Sequence, residues 1–507
     1  MAELLLGIDV GTSGAKALLI DAQGEVRSSV TTPYELSSPK PKWSEQNPHD
    51  WWEGTCESIR KVLEVEGICG SDVAAVGVTG QMHGLVLLDE SGEVLRPAIL
   101  WNDQRTDAQC EEIHRRIGRD RMIAFTGKPV LTGFTAPKIL WVRDHEREVY
   151  DCAAKMLLPK DYVRYRLSSE LATDVADASG TSVFDIKERR WSDEIFETLE
   201  LSRSYFPDVY ESPEICANVS VEAAKVTRLR AGTPIVAGAG DQAAEALGCG
   251  VVGESSIAVT IGTSGVVFAS TTEPRLDPKG RIHAYCHAMP AMWHVMGVML
   301  SAGGSLQWYC DVFCEKEKDH AASEGVDVYE LLTREASNVS AGCEGLIFLP
   351  YLTGERTPYA DPNARGVFFG LTRRHTKAHL TRAVIEGITF GLRDLVELAR
   401  ELDVPIESVR ISGGGARSEL WRQMLADVLD CSVATVNVTQ GAAFGAALLA
   451  GVGIGMFADV QEACRAVVRE TSVTQPAPRI RGYEKAYELY RSLYPALQSS
   501  FEDASKV

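Results

Sequence analysis

Short apolar runs alternate with longer amphipathic segments along the whole chain. Aliphatic and β-branched residues fill the short runs, a pattern typical of strands buried in an α/β sheet. The longer segments repeat apolar residues every three or four positions, which predicts helices at residues 50–66 and 378–402. The strands predicted in this way are residues 4–8, 15–20, 73–78, 235–239, 257–261, 265–269 and 409–412.

One pattern occurs twice. Residues 7–20 read GIDVGTSGAKALLI and residues 257–268 read IAVTIGTSGVVF, each an apolar strand, a Gly-Thr-Ser-Gly turn and a second apolar strand. The two copies lie about half the chain apart, so a duplicated β-hairpin predicts two similar domains. We place the boundary near residue 245, which gives domains at 1–245 and 246–507.

The last part of the chain predicts a terminal helix that packs on the body of the protein. Between residues 479 and 499, apolar and aromatic residues recur at spacings of three and four and form one stripe on a helix. The stripe consists of Ile480, Tyr483, Tyr487, Tyr490, Tyr494 and Leu497.

Charge and composition exclude several classes of protein. Lys and Arg number 51 against 70 Asp and Glu, a formal charge of −19, which argues against binding to nucleic acid or to an anionic membrane. No apolar run approaches the roughly 18 residues that span a bilayer. The first apolar run, residues 4–8, is followed at once by Asp9 and has no basic flank, so we interpret it as a strand and not as a signal peptide. The twelve cysteines form no CxxC pair, and we expect reduced thiols in a cytoplasmic protein.

Glycine and hydroxyl residues in the hairpin turns are the main chemical signal. The sequence contains no GxxxxGK[ST], GxSxG or HExxH motif. Gly-Thr-Ser-Gly turns suit phosphates instead, because glycine lets the backbone approach closely and exposed N–H and O–H groups donate hydrogen bonds.

Two charged residues flank the first turn. Asp9 precedes it, and a carboxylate beside a phosphate loop suits Mg²⁺, held directly or through water. Lys16, on the outgoing strand, is within reach of a transferring phosphoryl group. Taken alone, the plainer interpretations are favoured: a turn-capping Asp9 and a solvated Lys16.

Two further glycine turns each end a predicted strand. In the segment 235–244, the predicted strand ends at Gly238, Gly240 and Asp241. Asp241 is either a helix N-cap or a general base aimed into a cleft. Taken alone, the N-cap is favoured. Residues 411–421 carry three consecutive glycines, which permit the approach of a planar ligand such as adenine or simply form a tight strand-to-helix turn.

The order of these motifs resembles the FGGY carbohydrate kinases of the actin/Hsp70/hexokinase-like superfamily. Two more signatures of that family are present, GFTAPKILW at 133–141 and a segment from GVFFGL at 366–371 to Glu386. Together the matches run from residue 7 to about residue 450.

Within the family, the chain is most similar to the xylulokinase branch. The matching stretches are residues 80–84, 99–105, 158–162 and 350–358. Met82 and His83 stand where that branch lines its sugar pocket, whereas glycerol kinases carry Arg-Glu. Two residues depart from the pattern: Gln242 stands where xylulokinases often have Asn, and Gln440 replaces a Glu.

The resemblance implies an α/β fold of two ribonuclease-H-like domains with an interdomain cleft that closes for catalysis. Sugar and phosphate would bind residues 1–245, nucleotide would bind residues 246–507, and the reaction would phosphorylate D-xylulose with ATP and Mg²⁺. The alternatives are a kinase of the same family for another ketose or polyol, and a nucleotide-driven switch of the actin/Hsp70 type. Dimers are common in the family, and a homodimer is one expectation here.

The resemblance also assigns the site residues. Asp241 would be the general base and Asp9 would position Mg²⁺. The sugar would contact Met82, His83, Asp241 and Gln242. The predicted ATP-binding residues are Thr12, Ser13, Gly14, Lys16, Gly262, Thr263, Gly303, Gln307, Gly414 and Ser418.

Overall fold

The computed structural model describes residues 3–65, 67–478 and 481–506. By its internal contacts, the chain divides into two units. Unit 1 comprises residues up to Gly253, Ser270–His294 and Val438–Arg469, and unit 2 comprises Glu254–Ala269, Val295–Asn437 and the residues from Glu470 onward. Mixed α/β units built on two sheets confirm the predicted fold class.

The elements of the first half lie in unit 1. Its strands are β1 (Leu4–Val10), β2 (Gly14–Ile20), β3 (Val26–Pro33), β4 (Glu45–Gln46), β5 (Val73–Gly80), β6 (Val86–Leu88), β7 (Ala98–Ile99), β8 (Lys155–Leu157), β9 (Ala172–Asp174), β10 (Phe184–Asp185), β11 (Arg190–Trp191), β12 (Asp208–Tyr210), β13 (Ile215–Asn218), β14 (Pro234–Val236) and β15 (Ala239–Gly240). Its helices are α1 (Pro48–Val65), α2 (Asp107–Ile117), α3 (Arg119–Thr126), α4 (Thr135–His145), α5 (Arg147–Cys152), α6 (Pro159–Ser168), α7 (Val175–Ala178), α8 (Asp193–Leu199), α9 (Val221–Thr227) and α10 (Asp241–Gly248).

The remaining elements follow in the second half. The strands are β16 (Ser255–Ile261), β17 (Gly265–Thr271), β18 (His283–Cys286), β19 (Trp293–Met299), β20 (Ile347–Leu349), β21 (Val367–Phe369), β22 (Ile406–Gly413), β23 (Ser432–Val436) and β24 (Glu470–Thr474). The helices are α11 (Gly303–Phe313), α12 (Glu315–Glu324), α13 (Val328–Ala336), α14 (Lys377–Glu401), α15 (Glu419–Leu429), α16 (Ala442–Gly453), α17 (Val460–Val467) and α18 (Arg481–Ala504).

The duplicated hairpin is present in both units. β1 and β2 pair antiparallel around the first Gly-Thr-Ser-Gly turn, and β16 and β17 do so around the second. The first strand of each hairpin also has a parallel neighbour, β5 for β1 and β22 for β16. The sequence repeat therefore corresponds to a structural repeat.

The sheet of unit 1 has the strand order β13-β14-β5-β1-β2-β3, and β15 also pairs with β5. The prediction of one strand over residues 235–239 was wrong, because the chain breaks into β14 and β15 around Gly238. Gly238 has φ +78°, and a Cβ there would lie 1.8 Å from the carbonyl oxygen of Val78. The chain presses against β5 at this point, which displaces it from a regular strand.

Helix α16 belongs to unit 1, although it lies late in the sequence. It packs on β1, β5 and α10, and residues 442–451 are all buried. A helix that is apolar on every side is expected to be enclosed in this way. Gly445 allows close contact with α10, because a Cβ there would lie 1.9 Å from the carbonyl oxygen of Ala244.

Unit 2 contains a sheet with the strand order β19-β17-β16-β22-β23-β24. The long helices predicted at 50–66 and 378–402 correspond to α1 and α14, with Glu66 outside the described residues. The terminal helix is confirmed as α18. Ile480 of the predicted stripe lies outside the described residues, as does Arg479, where the predicted helix begins. The four tyrosines of the stripe are buried: Tyr483, Tyr487, Tyr490 and Tyr494. Among the described residues, no helix combines the length and apolar character of a membrane span.

Candidate active site

The first Gly-Thr-Ser-Gly turn is fixed by side chains from three other segments of unit 1. Trp101 Nε1 donates a hydrogen bond to Thr12 Oγ1 at 3.0 Å, and Gln46 Nε2 donates to the Thr12 carbonyl at 2.7 Å. The hydroxyl of Tyr34 donates to the Gly11 carbonyl at 2.5 Å. The turn therefore has a defined shape, and Ser13 stays exposed at its tip.

Gly14 has a packing role in this hairpin. It is buried against β3, where a Cβ would lie 2.7 Å from the carbonyl oxygen of Thr32. Lys16 lies on β2 directly opposite Asp9 on β1. One hairpin thus contains the predicted phosphate-binding residues Thr12, Ser13, Gly14 and Lys16. Within it, Asp9 is paired with Lys16 across the two strands.

Three parallel strands end beside this hairpin. β1 pairs with β5, and β5 pairs with β15, with Val10 and Gly240 both in register with Gly80. The carboxyl ends of parallel strands share one edge of a sheet, and ligands bind at that edge in open α/β sheets. Asp9, the Met82–His83 pair after β5 and Asp241 after β15 are therefore brought together at this edge.

Asp9 has an unsatisfied carboxylate oxygen. Its Oδ1 atom is buried and makes no hydrogen bond. Burial raises the pKa of Asp9 to about 6, an effect that Lys16 opposes and Glu245 reinforces. An orphaned buried oxygen of this kind indicates a missing partner such as a cation or a bound ligand.

Asp241 is the first residue of α10, not its N-cap. The N-cap position belongs to Gly240, and the Asp241 side chain accepts a hydrogen bond from the backbone N–H of Gln242 at 2.8 Å. Burial, together with the nearby carboxylates of Asp9 and Glu245, raises the pKa of Asp241 to about 7. A carboxylate with a pKa near neutrality is suited to accept a proton.

Sequence reasoning missed Glu245. It lies one helical turn after Asp241 on α10, and its negative charge raises the pKa of both Asp9 and Asp241. The spacing of four residues was a usable signal, because residues i and i+4 of a helix lie on the same face. Glu245 therefore adds a third carboxyl group to those of Asp9 and Asp241 at this edge of the sheet.

The Met82–His83 pair is held in an unusual backbone conformation. His83 has φ +66°, a left-handed conformation that non-glycine residues rarely adopt. Its Nδ1 atom lies 2.8 Å from the carbonyl oxygen of Gly180. A carbonyl only accepts, so Nδ1 carries a proton in this contact, and in the neutral imidazole Nε2 is then the acceptor nitrogen. Met82 packs on Gly240, just before Asp241.

Lys138 is a second residue that sequence reasoning missed, although it lies in the GFTAPKILW signature. It is fully buried on α4, and its ammonium group donates to the carbonyl oxygens of His83 at 2.8 Å and Gly133 at 2.7 Å. Thr135 Oγ1 also donates to the His83 carbonyl, at 3.1 Å. Two donors on α4 thus hold the backbone of His83.

Two of the stretches that match the family motifs, 99–105 and 158–162, are held by buried ion pairs. In the segment 99–105, the Arg105 guanidinium donates three hydrogen bonds to the Asp103 carboxylate and stacks on Trp43, 3.6 Å from the ring centroid. In the segment 158–162, the buried Lys160 lies 2.5 Å from carboxylate oxygens of both Asp161 and Asp174. These charged groups are paired with one another, which indicates a structural role.

The second Gly-Thr-Ser-Gly turn lies in unit 2, against the start of α11. The N–H of Gly303 donates to the Gly262 carbonyl at 2.8 Å, and the N–H groups of Ala302 and Gly304 donate to the Thr263 carbonyl at 2.9 and 3.0 Å. A Cβ on Gly303 would lie 2.5 Å from the Gly262 oxygen, so only glycine fits there. Gly262 and Thr263 remain exposed.

The remaining predicted nucleotide residues lie at the same edge of unit 2. Gly413, at the end of β22, is in register with Ile261, which places the Gly414–Arg417 turn beside the hairpin. Ser418 caps α15, since its Oγ accepts the N–H of Trp421 at 3.3 Å. Gln307 is exposed, one turn after Gly303 on α11.

Comparison with known proteins identifies the family of the chain. Residues 4–248 match the N-terminal domain of the FGGY family of carbohydrate kinases, and residues 257–454 match its C-terminal domain. The chain belongs to the FGGY family of carbohydrate kinases. The resemblance inferred from the motifs is thereby confirmed, and so is a kinase activity, whereas the roles of the individual site residues stay predictions.

This FGGY kinase has similar relatives that match over nearly their full length. It is 41% identical to the xylulose kinase of Escherichia coli (strain K12), over 97% of this chain and 99% of that one. It is 37% identical to the xylulose kinase of Bacillus subtilis (strain 168), over 97% and 96%. A solved structure described as a xyloylose kinase from Brucella ovis is 36% identical and superposes with a TM-score of 0.89, over 98% and 99%.

Proposed function

We propose that this kinase transfers the γ-phosphoryl group of ATP to D-xylulose and forms D-xylulose 5-phosphate. The proposal is supported by the full-length similarity to xylulose kinases. In the structure, the proposal depends on one observation: Asp9, Asp241 and the Met82–His83 pair lie together at one edge of the unit 1 sheet. Asp241 follows β15 there, and the Met82–His83 pair follows β5.

Asp241 would be the general base. In this role it accepts the proton of the sugar 5-hydroxyl as the oxygen attacks the γ-phosphorus, while the bond from phosphorus to the departing ADP oxygen breaks. A pKa of about 7 leaves a large share of the carboxyl ionised at neutral pH and still makes it a competent proton acceptor.

His83, Met82 and Gln242 would bind the sugar. With Nδ1 committed to Gly180, Nε2 of His83 accepts a hydrogen bond from a sugar hydroxyl. The thioether of Met82 provides an adaptable apolar wall next to the base. The first hairpin, through Thr12, Ser13, Gly14 and Lys16, would hold the outer phosphates.

The second hairpin and the turns beside it would bind the nucleotide. Gly262 and Thr263 offer exposed backbone at the tip of a fixed turn, which suits phosphate oxygens. Gly303, Gln307, Gly414 and Ser418 complete this group. The predicted division of function, with sugar at residues 1–245 and nucleotide at 246–507, is part of the proposal.

Asp9 would hold Mg²⁺. The unsatisfied buried Oδ1 fits a hard cation, which prefers carboxylate oxygens. Among the described residues, no group of three His, Cys, Asp or Glu side chains is arranged as a metal cage, so waters and phosphate oxygens would complete the coordination. The ion would neutralise charge on the phosphates. A homodimer and a cytoplasmic location also stay predictions.

The test is ADP release measured with a panel of acceptors. D-xylulose, D-ribulose, L-ribulose, glycerol and no acceptor are compared at equal concentrations with ATP and Mg²⁺. The proposal expects the highest kcat/KM for D-xylulose and little turnover without sugar. A preference for another ketose or polyol would assign the chain to a different substrate, and Gln242 would be the first residue to examine. Sugar-independent ATP hydrolysis would favour a nucleotide-driven switch.

A further inference from the structure

The segment 350–358, PYLTGERTP, has no role in the site as described so far. It contains Glu355, a carboxyl group of which only 4% is exposed. Glu355 Oε1 accepts two backbone hydrogen bonds, from the N–H of Leu300 at 2.9 Å and from the N–H of Arg356 at 2.7 Å. The backbone of Glu355 is itself paired with Asp361 in both directions, at 2.9 and 3.0 Å. The carboxyl group is therefore held firmly in place.

Leu300 connects Glu355 to the second Gly-Thr-Ser-Gly turn. It directly follows β19, and only two residues later the chain begins to donate the hydrogen bonds that hold Gly262 and Thr263. Nearby, the Thr357 hydroxyl accepts the N–H of Val298 on β19 at 3.4 Å. The segment 350–358 thus fixes the strand end from which residues 302–304 reach the turn.

We infer that Glu355 is a positioning residue for the nucleotide phosphates. By holding the N–H of Leu300, it fixes residues 300–304, and these residues fix the turn at Gly262 and Thr263. Glu355 acts through the backbone and does not touch the nucleotide. The inference rests on the proposed function, which assigns the ATP phosphates to that turn.

The hydrogen-bonding role of Glu355 does not depend on its charge. Burial raises the pKa of Glu355 to about 8, although its backbone donors oppose the shift. A large share of the group is therefore protonated at neutral pH, and a protonated carboxyl still offers an acceptor oxygen. Glutamine has the same length and an acceptor oxygen at the same position, so Glu355→Gln is expected to preserve both hydrogen bonds.

The experiment measures the affinity for ADP with Mg²⁺ by calorimetry, and the KM values for ATP and for the sugar. Glu355→Ala is expected to weaken ADP binding about tenfold and to raise the KM for ATP, because two backbone donors lose their acceptor. The KM for the sugar should stay within about twofold. Glu355→Gln should restore nucleotide affinity to within about twofold of the wild type.

Asp394→Ala is the matched control. Asp394 is likewise a buried carboxyl of unit 2, 5% exposed, but it accepts its hydrogen bond from Tyr487 on α18 at 2.7 Å. Its removal should lower stability without changing the affinity for ADP. If Glu355→Ala does not fold, Glu355→Asp is used, which keeps the carboxyl but withdraws it by one methylene and should still weaken ADP binding.

Gly303→Ala separates the two ways in which the inference can fail. A Cβ at this position meets the Gly262 oxygen, so the substitution distorts the turn directly. If Gly303→Ala weakens ADP binding while folded Glu355→Ala and Glu355→Asp do not, Glu355 is not a positioning residue and the proposed function stands. If Gly303→Ala also leaves ADP binding unchanged, the assignment of nucleotide to this turn is wrong, and the inference falls with it. Equal losses in folded Glu355→Gln and Glu355→Ala would likewise overturn it.

Discussion

The ammonium group of Lys138 donates a hydrogen bond to the backbone carbonyl of His83, at 2.8 Å. Burial lowers the pKa of this lysine to about 7, so the protein bears a desolvation cost to keep an amine at this position. The contact supports a left-handed residue in the proposed sugar pocket. Lys138 is therefore placed to control the orientation of the His83 imidazole.

Replacing Lys138 with methionine is expected to weaken sugar binding selectively. The side chains have similar length, but methionine has no donor for the His83 carbonyl, so the loop carrying His83 loses a restraint. We expect the KM for the sugar to rise about tenfold and the KM for ATP to stay within about twofold.

The double variant Lys138→Met/His83→Ala provides the control. If Lys138 acts through the His83 imidazole, adding Lys138→Met to His83→Ala should raise the sugar KM little further. Independent, additive losses would show that Lys138 supports the pocket in another way. His83→Ala alone should weaken the binding of the sugar and leave the binding of ATP unchanged.

Asp241 is expected to impose a pH dependence on catalysis. The general base has to be ionised, so kcat/KM should rise with pH and level off above about 7, the pKa of this carboxyl. Below pH 6 the fall should steepen, because Asp9, with a pKa of about 6, takes up a proton as well. Asp241→Ala should reduce turnover about a thousandfold or more while nucleotide binding is retained. A folded Asp241→Ala variant with near-normal turnover would exclude the base role.

The same carboxyl is expected to make stability depend on pH. Its pKa is about 7 in the folded protein against 3.8 for an ordinary Asp. Between these values the folded state binds the proton more tightly, so the free energy of unfolding falls as pH rises from about 4 to about 7. The amide of Asp241→Asn does not ionise. This variant should unfold at a higher temperature than the wild type at pH 8 and at a similar temperature at pH 4, measured by calorimetry.

Asp9→Asn is expected to raise the Mg²⁺ requirement. The substitution keeps the size of the side chain but removes the charge that would attract the ion. We expect the Mg²⁺ concentration for half-maximal activity to rise about tenfold or more. Titration of ADP affinity against Mg²⁺ gives a second readout. An unchanged Mg²⁺ dependence in a folded variant would exclude Asp9 from the metal site.

Gly445→Ala tests the contact between α16 and α10. The added Cβ would lie 1.9 Å from the Ala244 carbonyl oxygen, so the two helices have to separate, at a cost of about 2–3 kcal/mol. Because α10 begins with Asp241, turnover should fall together with thermal stability. Gly253→Ala is the matched control in unit 1, since no atom lies within 4 Å of a Cβ there. Similar behaviour of the two variants would contradict the packing argument.

Local signals made part of this structure predictable. The two hairpins and the strands around them follow from short apolar runs, and helix α18 follows from a spacing of three and four residues; both are properties of neighbouring residues. Asp9, Asp241 and the Met82–His83 pair were found because each adjoins a glycine turn or forms part of a recognisable motif.

Contacts between distant segments could not be predicted in the same way. Lys138 and Glu355 lie inside recognised motifs, but their partners, His83 and Leu300, are dozens of residues away, and no periodicity reports such a hydrogen bond. The break in the strand at Gly238 depends on the path of β5, which the local sequence does not contain. Tertiary packing decided each of these features.

Helix α16 has a consequence for how the protein is made. It covers β1 and β5, yet it is encoded near the far end of the chain, after most of unit 2. A ribosome releases the N-terminal strands first, so their apolar face has no permanent cover until almost all of the chain has emerged. An N-terminal fragment ending at Gly253 would retain that bare face and is prone to aggregate or to engage chaperones. Synthesis of unit 1 as an independent product therefore requires residues 270–294 and 438–469 to be joined back to it.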